Sequence, residues 1–178
     1  MSFMRNIVLI GFMGTGKSSV GRLLANRLRR PFIDTDKKIE NDCGISIKEI
    51  FEQYGEQAFR FQERVVITKV SRYTNTVIAT GGGVVLTPEN VNRLKSNGIL
   101  IALTASLDTI LERTGRRNAR PLLNGPDRKQ TVAKLLGERS ALYDVADYTI
   151  DTSIETPHQV VENIISLLRK GGHLRGRS

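Results

Sequence analysis

A chain of 178 residues with 39% apolar and 25% charged residues has the length and composition of a single soluble domain with a substantial core. Its one cysteine, Cys43, excludes an internal disulfide and a cysteine metal cluster, and two histidines leave no histidine-rich metal site. The net charge of +9 invites an anionic partner, yet four of those charges (Arg169, Lys170, Arg175 and Arg177) sit in the tail "RKGGHLRGRS". No aromatic residues interleave with them to stack bases, which argues against a nucleic-acid partner.

From the N-terminus, Met1 to Met13 carries a basic residue and a short apolar stretch in the manner of a secretory leader. No small-residue cleavage site follows, and processing would cripple the glycine loop behind it, so 6–10 ("NIVLI") reads as a buried strand. Further strand-like runs fall at 31–34, 76–80, 99–104 and 147–150. Between them lie amphipathic stretches at 17–29, 46–71 in two pieces, 88–96, 106–115, 128–143 and 157–169. Ser46 with Glu49 forms a capping-box pattern, and Thr87-Pro88 and Thr156-Pro157 each place an N-cap before a proline at the first helical position. Alternation of apolar strands with helices predicts an α/β fold, a parallel sheet covered by helices on both faces, with ligands at the carboxyl ends of the strands. Residues 1–170 read as one domain, and 171–178 as a disordered basic end. No apolar run approaches the roughly 20 residues of a membrane helix, and a lone cysteine suits the cytoplasm.

The chemistry begins directly after the first strand. Residues 11–18, "GFMGTGKS", satisfy every fixed position of the phosphate-binding pattern G-x-x-x-x-G-K-[ST], between a strand and a helix as that pattern requires. Gly14, Thr15 and Gly16 let successive backbone N–H groups turn toward a phosphate, with Ser19 beginning the helix behind them. Lys17 supplies positive charge to the β- and γ-phosphates, and the Ser18 hydroxyl is placed to bind Mg²⁺. A nucleoside triphosphate with Mg²⁺ is the expected ligand.

The other strand ends address the phosphate acceptor. "PFIDTD" brings Asp34 and Asp36 to the end of the second strand, two residues apart and therefore on one side of an extended chain. One carboxylate would serve the metal and the other a substrate hydroxyl; the plainer alternative is that Asp36 caps the following helix. In "GEQAFRFQE", Arg60 has Glu56 and Glu63 at helical spacing, a pattern that on most helices is a solvated ion-pair face. The third strand ends in Gly81, Gly82 and Gly83, which suits close approach of backbone to a ligand. "ERTGRRNARPLLNGPDR" is an arginine-dense flap (Arg113, Arg116, Arg117, Arg120, Arg128) between two helices, able to bring an arginine onto a transferring phosphoryl group. Arg139 precedes the last strand and with Arg60 would clamp a carboxylate.

In this order and spacing, "GFMGTGKSSVGRLLA", "FIDTD", "GEQAFRFQE", "TGGG", "RPLL" and "RSALY" resemble the shikimate kinase family, from about Asn6 to Ile150. The resemblance implies a three-layer P-loop fold like that of nucleoside monophosphate kinases, with a five-stranded parallel sheet in the order 2-3-1-4-5. It implies transfer of the γ-phosphoryl group of ATP to the 3-hydroxyl of shikimate, on the route to chorismate and the aromatic amino acids. It also implies a substrate-binding segment at about 35–63, a lid at about 114–126, and a monomer. Carried over residue by residue, Lys17 and Ser18 serve phosphates and Mg²⁺, and Asp34 holds the metal through water. Asp36 binds the reacting hydroxyl as base; Arg60, Arg139 and the Gly81 to Gly83 backbone bind shikimate. Arg120 reaches the ATP phosphates from the lid, and Arg113 flanks the adenine. One departure is Phe61, where the family is often basic.

Two other classes fit less well. A gluconate or nucleoside monophosphate kinase would share the loop and flap but not Asp34, Asp36, Arg60, the triple glycine and Arg139 together. A GTP-dependent switch would carry an Asp-x-x-Gly turn after the third strand and an Asn-Lys-x-Asp guanine reader; the strand ends in "TGGG" and no Asn-Lys-x-Asp occurs.

Overall fold

Strand β1 (Asn6–Ile10) is buried at every residue. A strand with apolar side chains on both faces must lie inside a sheet that is itself covered on both sides. It does so: the computed structural model, which describes residues 4–115 and 126–174, has a five-stranded parallel sheet in the order β2-β3-β1-β4-β5. The remaining strands are β2 (Phe32–Asp34), β3 (Val77–Ala79), β4 (Gly98–Thr104) and β5 (Tyr148–Asp151).

The alternation of side chains divides the core in two. Val8, Ile10, Leu100 and Ala102 face α3 (Ile47–Val70), α4 (Pro88–Ser96) and parts of α5 (Leu107–Gly115) and α6 (Arg128–Arg139). Ile7, Leu9, Ile99, Ile101 and Leu103 face α1 (Lys17–Leu28) and α7 (Pro157–Lys170). Each of these buried Val, Leu and Ile side chains contributes about 1.5–3 kcal/mol on removal from water.

Most element positions follow the sequence reading, with three differences. Residues 35–43, read above as part of a substrate segment, form a helix of their own, α2 (Thr35–Cys43), which ends on Gly44 at φ 74°. The two pieces expected in 46–71 are present: α3 is two helices that meet at a kink, where Gly55 (φ 84°, ψ 174°) leaves the helical conformation. The helix expected to reach 143 stops at Arg139 and continues as a 3-10 segment, Ser140–Val145. The Ser46 and Thr156 caps form full capping boxes, whereas the Thr87 side chain makes no cap hydrogen bond.

Beyond α7, His173 Nε2 lies 3.1 Å from the Tyr148 hydroxyl and Leu174 packs on the α1/α7 side of the core; residues 175–178 fall outside the described residues. Among the described residues no helix is long and apolar enough to cross a membrane.

The parallel arrangement collects every strand's carboxyl end on one edge. The glycine loop follows β1, Asp34 closes β2, Gly81 to Gly83 follow β3, Thr104 ends β4 and Thr152 follows β5.

Candidate active site

The loop between β1 and α1 passes through three glycines in left-handed backbone conformations, Gly11 (φ 144°), Gly14 (φ 79°) and Gly16 (φ 98°), which a side chain would strain. Gly16 is the N-cap of α1, so the positive end of that helix opens at the loop. Lys17 is buried, and its ammonium donates to the carbonyls of Gly11 (2.6 Å) and Phe12 (2.8 Å). The cation is thus held against the loop that an anion would occupy.

The loop is braced from behind. Arg113, on α5, donates to the carbonyl of Gly14 (3.3 Å) and to the hydroxyl (3.0 Å) and carbonyl (2.6 Å) of Thr152. The buried Thr152 hydroxyl lies 2.8 Å from the Thr15 carbonyl and 3.1 Å from that of Thr104. Arg113 therefore ties the glycine loop to the end of β5.

At the lip of the loop the Ser18 hydroxyl donates to Asp34 Oδ2 at 2.6 Å. The other Asp34 oxygen accepts the N–H groups of Asp36 (3.1 Å) and Lys37 (3.2 Å). The helix cap is Asp34 and not Asp36, and the two carboxylates do not share one side of a strand, because β2 ends at Asp34 and Asp36 lies in the first turn of α2. One hydroxyl and one carboxylate suit Mg²⁺, which keeps several waters, takes few protein oxygens and completes its shell with phosphate. Among the described residues no cluster of three or more His, Cys, Asp or Glu competes for a metal.

The three glycines after β3 form a second corner. A Cβ on Gly81 would stand 2.7 Å from Asp36 Oδ1, one on Gly82 would stand 3.2 Å from the Met13 N–H nitrogen, and one on Gly83 would stand 2.6 Å from the Arg60 guanidinium. None of the three has a positive φ. They are glycines because Asp36, the phosphate loop and Arg60 each press against this backbone.

Arg60 stacks over the Phe59 ring (5.1 Å) and donates to Glu56 (3.3 Å) and Glu63 (3.0 Å). Glu63 is 1% exposed, so this is no solvated ion-pair face. Burial pushes the Glu63 carboxyl above its ordinary range; Arg60 opposes that rise, and Asp36 and Arg139 also act on it electrostatically. Glu63 thus lies in the field of Asp36, Arg60 and Arg139 together, a half-buried carboxylate and two half-buried cations.

Of the remaining expected residues, Ser19 is exposed on α1, and Arg120, with Arg116 and Arg117, lies outside the described residues. Arg128 donates to the Leu111 carbonyl (2.9 Å) and the Thr114 hydroxyl (2.5 Å), joining α6 to α5. Surface grooves along α7 and between α1 and α7 are lined by Glu155, His158, Glu162 and their neighbours and by none of the site residues. Thr152 and Tyr143 were not singled out from the sequence. The "DT" after the last strand was a usable signal for the first, since strand ends line the site in such folds.

A parallel sheet of this order, a lysine-bearing phosphate loop and an adjoining corner of two carboxylates (Asp36 and Glu63) and two arginines define a P-loop kinase of small molecules. The shikimate kinase family model matches residues 13–169. The chain is 48% identical over 171 residues to a shikimate kinase of Pelotomaculum thermopropionicum, covering 96% of this chain and 99% of the relative. The shikimate kinase of Acinetobacter baumannii, solved in complex with shikimate, superposes with a TM-score of 0.91 at 39% identity, covering 94% of each chain. A gluconokinase from Sinorhizobium meliloti has a TM-score of 0.59 at 16% identity over 96% of this chain and 94% of its own, a likeness of fold alone. The chain belongs to the shikimate kinase family.

Proposed function

We propose that this protein transfers the γ-phosphoryl group of MgATP to the 3-hydroxyl of shikimate, giving shikimate 3-phosphate and ADP on the route to chorismate. The observation that carries this reading is the glycine run after β3, which seats Asp36 and Arg60 on either side of a peptide that also touches the phosphate loop.

Phosphoryl transfer needs little covalent help from the protein and depends on alignment and charge neutralisation. The loop N–H groups, Lys17 and the α1 N-terminus receive the triphosphate, with Gly14 to Ser19 around it and Arg113 on the adenine side. Mg²⁺, held by Ser18 and through water by Asp34, would neutralise charge on the β- and γ-phosphate oxygens. Arg60 and Arg139 hold the acceptor carboxylate, and the Gly81 to Gly83 backbone lines its ring. Asp36 takes the proton of the acceptor hydroxyl as its oxygen bonds to the γ-phosphorus; the bond to the β,γ-bridging oxygen breaks and ADP leaves. Arg120 reaches the transferring group from the lid at about 114–126. The working unit is a monomer in the cytoplasm, a compartment that suits the free Cys43.

ADP release from MgATP, followed optically with shikimate, gluconate and a nucleoside monophosphate offered separately, tests the reading. Turnover with shikimate alone is expected. Turnover with another acceptor and none with shikimate would leave the phosphate loop intact as a conclusion and overturn the acceptor pocket.

A further inference from the structure

Tyr143 lies four residues after Arg139, in the 3-10 segment Ser140–Val145, and is 4% exposed. Its ring belongs to the core cluster that includes Val84, Val85 and Val132. Phenylalanine would serve that packing equally well. The hydroxyl therefore needs its own account, and it has a definite partner: it donates to the carbonyl of Gly82 at 2.6 Å, bridging 61 residues of chain.

The neighbouring carbonyls are used inside the turn. Gly81 accepts from the Val84 N–H (3.2 Å) and Gly83 from the Leu86 N–H (3.0 Å). The carbonyl between them takes its donor from the 3-10 segment that directly follows Arg139. Buried carbonyls require partners, but which element supplies the donor decides what the bond couples. Here it joins two parts of one pocket. The Gly82 peptide lies between Gly81, against which Asp36 rests, and Gly83, against which the Arg60 guanidinium rests. Any rotation of that peptide moves the support of both side chains, and any slip of the 3-10 segment alters the span from them to Arg139.

We propose that Tyr143 is a positioning residue for the acceptor: its hydroxyl locks the Gly82 peptide and fixes the span between Arg139 and the Asp36/Arg60 pair. Its effect falls mainly on capture of the carboxylate-bearing polyol acceptor and only weakly on the nucleotide, whose loop meets the Gly82 peptide through backbone alone. The inference rests on the acceptor assignment proposed above.

The test is Tyr143→Phe, with its fold verified by circular dichroism, beside wild type and Arg139→Ala. We expect the KM for shikimate to rise about 5- to 10-fold, the scale of one lost buried hydrogen bond, while the KM for MgATP stays within about twofold. Unchanged acceptor parameters in Tyr143→Phe, or equal losses for acceptor and nucleotide, would make the hydroxyl a purely structural group and overturn the proposal. If Arg139→Ala also leaves the shikimate KM unchanged, the acceptor assignment itself has failed, which separates the two conclusions.

A wild-type measurement covers the case in which Tyr143→Phe does not fold. With tyrosine labelled at ¹³Cζ and the four tyrosines assigned by single Phe replacements at Tyr54, Tyr73 and Tyr148, the Tyr143 resonance should shift with saturating shikimate and not with ADP. A resonance blind to shikimate overturns the proposal.

Discussion

Asp34 joins two structural duties in one carboxylate: Oδ2 accepts the Ser18 hydroxyl at 2.6 Å while Oδ1 caps α2 through the N–H groups of Asp36 and Lys37. The residue that would hold the metal's water therefore also starts the helix that carries Asp36. The corners proposed for metal and acceptor thus share Asp34 as a fixed point.

The two duties separate by substitution. Asparagine is as good an N-cap as aspartate, so Asp34→Asn should retain near-wild-type thermal stability. It loses the charge, and kcat should fall about 10- to 100-fold with a higher Mg²⁺ requirement, as for other outer-sphere metal partners. Asp34→Ala should show the same kinetic loss and, in addition, lose about 1 kcal/mol of stability with the cap. Magnesium titrations and thermal melts of both variants check this. Equal melting losses in the two would show that the cap does not act as described.

Alanine at each of three consecutive glycines should give three different phenotypes. At Gly81 the new methyl displaces Asp36, at Gly83 it displaces Arg60, and at Gly82 it presses on Met13 of the phosphate loop. The atoms met at Gly81 and Gly83 are the tips of flexible side chains, and no positive φ stands in the way, so the folded state yields at little cost. The displaced tips are those to which the proposed mechanism gives the acceptor, and misplacement of about 1 Å costs up to about 10²-fold in rate. Gly81→Ala should lower kcat, Gly83→Ala should raise the KM for shikimate, and Gly82→Ala should raise the KM for MgATP. Steady-state kinetics with each substrate varied in turn reads all three, and a uniform loss across the series would contradict the separation.

These glycines also mark how far the sequence could be read. Their meaning as a place of close approach was legible, because three glycines in a row cost conformational entropy that a plain turn does not require. What approaches them was not, since it depends on where α2 and α3 bring Asp36 and Arg60. The strands and the phosphate loop were legible because apolar runs and a fixed motif are local signals. The helix at 35–43 entered the reading only as one that Asp36 would cap, because "TDKKIENDC" is short and polar, with a stripe of few apolar residues, and is held by its Asp34 cap and Gly44 terminus. Glu63 looked like a surface ion-pair partner, since i,i+3 spacing is the same on an exposed helix and a buried one. Tyr143 and Thr152 act through bonds spanning 61 and 137 residues, to which no local pattern points.

Glu63 gives stability a pH dependence with a definite sign. Burial raises its carboxyl in the folded chain above the ordinary value of 4.5. In the unfolded chain the proton leaves near that ordinary value. Between the two the folded chain holds a proton that the unfolded chain has released, so this group makes stability fall as pH rises through the interval. Glu63→Gln removes the titration and keeps an oxygen for Arg60. The unfolding free energy of the variant, measured in urea from about pH 4 to pH 8, should decline less across the lower part of that range than wild type. Parallel profiles would show that Glu63 titrates alike in both states.

Thr152 provides the last separation, between nucleotide and acceptor. Its hydroxyl contacts the carbonyls of Thr15 and Thr104 and receives Arg113, which also donates to the carbonyls of Gly14 and of Thr152 itself. Valine has the same shape and β-branching, so Thr152→Val keeps the packing at the end of β5 and removes only the polar contacts. The Thr15 carbonyl then loses its hydroxyl donor in a buried place, a cost of about 1–3 kcal/mol in stability, whereas the Thr104 carbonyl keeps the Thr152 N–H at 2.8 Å. Arg113 loses one of its anchors, and the loop that must hold its glycines at fixed positive φ loses its brace. The KM for MgATP should rise about 5- to 10-fold, in line with one lost hydrogen bond. The KM for shikimate should hold, because the acceptor corner hangs on β2, β3 and the 3-10 segment and not on β5. Nucleotide titration calorimetry beside steady-state kinetics checks both halves. A rise in the shikimate KM equal to that for MgATP would mean that the two corners are not mechanically separate.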